Sequence, residues 1–121
     1  MRFLIVAAIG VLLAGPLTAG VIPINSTVFV PIKPDALGYV RASIVPEGVP
    51  VQLVADPDKA EYTLVGGFEE DSDGVGGRGW LELISSTGTV VWADSAVGRT
   101  GGNISRSRTL VKRLKKAILK R

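Results

Sequence analysis

The sequence predicts a two-layer α/β domain in the order β-α-β-β-β-β-α, a mixed five-stranded sheet with two helices on one face. Three observations lead there. A strand, a helix and a strand fit between Thr27 and Val54, and such a crossover makes its two strands parallel. Three apolar runs between Tyr62 and Trp92, with loop chemistry in both gaps, fit an antiparallel meander. The last stretch, from Ile104, repeats apolar residues at three- and four-residue spacing, the stripe of a helix that lies on a sheet.

Taken in order, the chain opens with Arg2 and eleven uncharged, mostly apolar residues from Phe3 to Leu13. Gly15-Pro16 breaks that run, and Leu17-Thr18-Ala19 offers a small residue for cleavage before Gly20, the pattern of a secretory signal peptide. The alternative is an uncleaved N-terminal membrane anchor, since no charge falls between Arg2 and Lys33. A span needs roughly 20 apolar residues, more than this run supplies. The predicted organisation is a signal peptide over 1–19, an extended leader over 20–26 and one α/β domain over 27–121. Export then places the domain in the periplasm or outside the cell. There is no cysteine, so neither a disulfide nor a lipidated thiol at the cut holds it, and packing alone must do so.

The leader holds Pro23 and Asn25-Ser26 and gives no sign of a core. Thr27 to Ile32 is β-branched and aromatic, with Pro31 marking a strand end or a sheet edge. Pro34-Asp35 starts a helix whose Leu37, Val40 and Ile44 face the sheet and which Pro46 and Gly48 end. Val49 to Val54 reads as a short strand covered on both faces. Asp56 caps a turn over Pro57-Asp58-Lys59. The meander strands are Tyr62–Val65, Trp80–Ile84 and Thr89–Trp92, with Gly88 supplying the positive φ of the second hairpin. Ser95 to Asn103, with three glycines, reads as a flexible loop, and Asn103 or Ser105 caps a closing helix striped by Leu110, Val111, Leu114, Ala117 and Ile118.

Charge is segregated more strongly than the overall +3 suggests. Between Gly20 and Asn103 there are five bases and eleven acids, a net of −6, whereas Ile104 to Arg121 holds eight bases and no acid. The two parts should attract.

Sites of chemistry are sparse. With no His and no Cys the commonest general base and the soft metal ligands are missing, so zinc and thiol chemistry are not expected. Glu69 to Gly74 has oxygens at alternate positions like a calcium loop, but its twelfth position is Trp80 instead of a bidentate Glu. Gly74 to Gly79 satisfies G-x-G-x-x-G, yet it opens a strand and follows four acids, where a dinucleotide fingerprint must open a helix. We therefore expect no catalytic residue, no cofactor and no metal site. The strongest candidate is the basic face of the closing helix, Arg106, Arg108, Lys112, Arg113, Lys115, Lys116, Lys120 and Arg121, as a contact for a polyanion or a protein partner. The competing explanation is a solvated face that balances an acidic body. Nucleic acid is not an expected partner, since no aromatic platform accompanies the bases.

Lys59-Ala60-Glu61-Tyr62-Thr63-Leu64-Val65-Gly66, then Ser86-Thr87-Gly88-Thr89-Val90-Val91-Trp92-Ala93, then a closing basic helix, form a pattern found in bacterial envelope proteins. The chain resembles small exported envelope proteins of unassigned function. More remotely it is similar to the periplasmic α/β domain of curli-secretion-channel lipoproteins and penicillin-binding-protein-activator lipoproteins. The resemblance covers about Thr27 to Lys120 and implies a non-enzymatic, exported binding or assembly module that contacts another envelope protein. Its contact surface is expected at a sheet edge over Thr27–Ile32 or on the basic helix. The alternative is a peripheral binder of anionic membrane or polyanion through that helix.

Overall fold

The computed structural model describes residues 17–18, 22–32, 36–72, 76–98 and 102–120. Strands run over Leu17–Thr18 (β1), Ser26–Phe29 (β2), Val51–Leu53 (β3), Tyr62–Glu70 (β4), Gly77–Ser85 (β5) and Val90–Gly98 (β6), and helices over Ala36–Ile44 (α1) and Gly102–Leu119 (α2). From β2 onward this is the predicted order, and the five main strands form the predicted mixed sheet. The sheet reads β1-β6-β5-β4-β2-β3. Its sixth strand, β1, is two residues long, pairs antiparallel with Trp92 and Ala93, and precedes the expected cut after Ala19. The helix start at Pro34-Asp35 lies outside the described residues.

Both neighbours of β2 are parallel to it: β3, as the crossover predicts, and β4 on the other side. The expectation of an exposed edge at Thr27–Ile32 is therefore corrected. The edge is β3, whose Gln52 is exposed, so the prediction that this strand is covered on both faces fails as well. The leader is corrected too. Ile22 is buried in the core, the Asn25 amide donates to the Pro50 carbonyl at 2.7 Å, and Asn25 takes a positive φ of 69° that turns the chain into β2.

Helix α1 buries Leu37, Val40 and Ile44 and ends as its sequence predicts. Gly48 takes φ 73°, its amide donates to the Val45 carbonyl at 3.0 Å, and the Val49 amide donates to the Ile44 carbonyl at 3.1 Å. This is a Schellman closure, with Ile44 and Val49 buried on either side of the reversal. Asp56 caps the 3-10 turn over Pro57–Lys59, accepting from the Asp58 amide at 2.9 Å. Gly88 has the predicted positive φ, 90°.

β4, β5 and β6 form the predicted meander, each strand nine residues long. Ser95–Gly98, expected as loop, is instead the last four of the nine residues of β6 and pairs with Trp80 through Gly77. Leu64, Leu81, Leu83, Trp92 and Ala96 turn inward and meet Leu110, Val111, Leu114 and Ile118 of α2. Each fully buried Leu contributes about 1.5–3 kcal/mol, and this shared core seats α2 on the sheet beside α1.

Candidate functional site

The closing helix divides its eight predicted bases among different settings. Arg106 is 2% exposed and is corrected from surface contact to core residue. It stands four residues before Leu110, on the same stripe. There its Nη2 donates to Asn103 Oδ1 at 2.7 Å and its Nη1 to the Gly98 carbonyl at 3.4 Å, pinning the first turn of α2 to the end of β6. Asn103 lies inside the helix and serves Arg106, where the sequence suggested a cap.

Other bases pair with the acidic body, as their opposite charge predicts. Arg108 Nε lies 3.9 Å from Glu47, Arg113 Nη1 lies 3.6 Å from Asp94 and donates to the Ser95 carbonyl at 2.8 Å, and Lys115 Nζ donates to the Glu47 carbonyl at 2.9 Å. The half-exposed arginines gain little from these pairs, well under 1 kcal/mol each. Lys112, Lys116 and Lys120 are exposed, recur every four residues, and make no ion pair among the described residues. Arg121 lies outside the described residues. What the helix presents outward is a row of lysines flanked by Ile104 and Leu119, 50% and 48% exposed. Its apolar stripe is spent on the core.

The surface that sequence reasoning missed is the far side of the sheet. Directly paired residues point the same way, so the register fixes its membership. Leu64, Leu81, Leu83 and Ala96 face the helices; Thr63, Val65 and Gly67 of β4, Trp80, Glu82 and Ile84 of β5, and Ala93, Ser95 and Val97 of β6 face away, with Phe29 beside Thr63. No described element covers this face. Trp80 is 42% exposed and Val97 80%. The Trp80 ring lies across Gly67, where an added Cβ would stand 2.5 Å from Cζ2 and Cη2. Glu82 stands within the face; Glu69, 4.0 Å from Arg78, borders it, as does Glu61, whose Oε1 accepts from the Thr27 amide at 2.9 Å. The signal available in the sequence was the alternation of Trp80, Glu82 and Ile84 against Leu81 and Leu83.

The two glycine- and acid-rich motifs fall on one hairpin. Glu69 and Glu70 finish β4, the Asp71 amide donates to the Gly76 carbonyl at 2.7 Å to close the hairpin, and Asp73 and Gly74 lie outside the described residues. Gly77 and Gly79 belong to a strand, so the glycine pattern offers no helix N-terminus to a phosphate. Among the described residues no three acids gather as a metal would require, and no helix is long and apolar enough to cross a membrane.

No protein-family model and no curated protein sequence matches the chain. By structure it is similar to PelC of Paraburkholderia phytofirmans, solved as a dodecamer. One such structure, of a PelC variant, is 20% identical with a TM-score of 0.59 and is aligned over 85% of this chain and 93% of its own. A second is 19% identical with a TM-score of 0.60, aligned over 88% of this chain and 96% of its own. At this identity the likeness shows a shared fold.

Proposed function

We propose that this chain is a non-enzymatic assembly module of the bacterial envelope, exported to the periplasm through its N-terminal segment and acting through protein contacts. The observation that carries the reading is the sheet face that no described element covers. A two-layer domain of this size has no structural reason to leave Trp80 and Val97 open on a flat strand surface. PelC, of the same fold, assembles with itself into a dodecamer, which makes other copies of this chain the first partner to consider.

The helix alone as an anchor on an anionic membrane is less well supported, because Leu110, Val111, Leu114 and Ile118 are buried and cannot also enter a bilayer. Light scattering on protein recovered from the periplasm is expected to give a mass several times that of the chain. Crosslinking in cells should recover either this chain or another envelope protein. A monodisperse monomer that yields no crosslinked protein would refute the reading.

A further inference from the structure

We infer that the partner for the open sheet face is the helix layer of a second copy, so that copies join head to tail. The inference rests on the assembly reading above and specifies its interface. The two outer surfaces of the molecule complement each other in both respects that matter. Each carries exposed apolar side chains: Trp80 and Val97 on the sheet, Tyr39, Ile104 and Leu119 on the helices, with Val45 just past the end of α1. Their charges are opposite. Among the described residues the paired strands of the sheet side hold Glu69 and Glu82 with Arg78, and Glu61 stands at the border, while the helix side presents Lys112, Lys116 and Lys120.

Self-contact of either surface would set like charges together, a cost that an isologous dimer repeats on both sides of its axis. Sheet against helix joins unlike charges and places the Trp80 ring among the apolar residues of the facing helices, the kind of aromatic that dominates interface energies. A heterologous contact of this sort leaves one free face at each end. It closes into a ring when the two faces are suitably inclined.

Two charge-reversed proteins test this. One carries Lys112→Glu and Lys116→Glu, the other Glu69→Lys and Glu82→Lys. Each alone is expected to need at least about tenfold higher concentration to assemble than the native chain, the effect of losing roughly 1.4 kcal/mol at the contact. Mixed in equal amounts they are expected to assemble again, because every junction then joins unlike charges. Trp80→Gln, which alters no charge and no buried residue, should weaken assembly to a similar degree while leaving the melting temperature of the dissociated chain unchanged. The inference is overturned if the native chain assembles while all three variants assemble equally well, or if the mixture of charge-reversed proteins stays apart. A native chain that is monomeric at every concentration would instead remove the assembly reading itself.

Discussion

Arg106 shows how position on a helix decides the role of a charge. Being on the stripe, it is drawn inside, and its planar fork reaches Asn103 and the Gly98 carbonyl together. Lysine has one ammonium and cannot match that geometry. Arg106→Lys is expected to lower stability by about 1–3 kcal/mol in urea unfolding, whereas Arg108→Lys, at a half-exposed pair, should stay within about 0.5 kcal/mol. Gly67 supports a second expectation. Adding its Cβ pushes the Trp80 ring off the strand, so Gly67→Ala should raise the iodide quenching of Trp80 while Trp92, 1% exposed, stays protected. Equal quenching before and after the substitution would show that the ring does not rest there.

At the scale of elements, the closing helix is held by its buried stripe and not by its charges. Leu114→Ala should cost about 2–5 kcal/mol by cavity formation, and Lys112→Ala less than about 0.5 kcal/mol, both read from denaturation midpoints. Much of this was legible beforehand. The stripe Leu110 to Ile118, the βαβ unit and the meander follow from the apolar periodicities and the turn chemistry between them. The end of β6 was hidden because Gly98 reads as loop chemistry. It is a strand residue all the same: it pairs with Gly77, and its carbonyl accepts from Arg106 Nη1 at 3.4 Å. The central place of β2 was equally hidden, since parallel pairing to β4 is a long-range choice on which local propensity is silent. Among site residues, the sequence marked the basic helix as one charged face. It could not divide Arg106, Arg108, Arg113 and Lys115, tied inward, from the outward row of Lys112, Lys116 and Lys120.

For the whole molecule, segregated charge and one-sided layering combine. Acids and bases that serve only to balance the fold would leave assembly indifferent to salt. Charges that face each other between copies would not. Raising ionic strength from about 0.1 M to about 1 M shortens screening from roughly 10 Å to roughly 3 Å, so the assembled species should dissociate at higher protein concentration while the apolar part of the contact persists. Sedimentation across that range checks it, and a midpoint that does not move would mean the lysine row takes no part.

A sheet whose described helices cover one side gives every copy two unlike ends, and that has a genetic consequence. A chain whose sheet face is weakened by Trp80→Gln still joins through its helices but holds the next arrival poorly, acting as a weak point at which a growing series tends to stop. A minority of such chains produced beside the native protein should therefore poison function out of proportion to their number. A chain spoiled on both faces would be a harmless bystander, and the contrast between the two in a single cell separates a poisoned assembly from simple loss of protein.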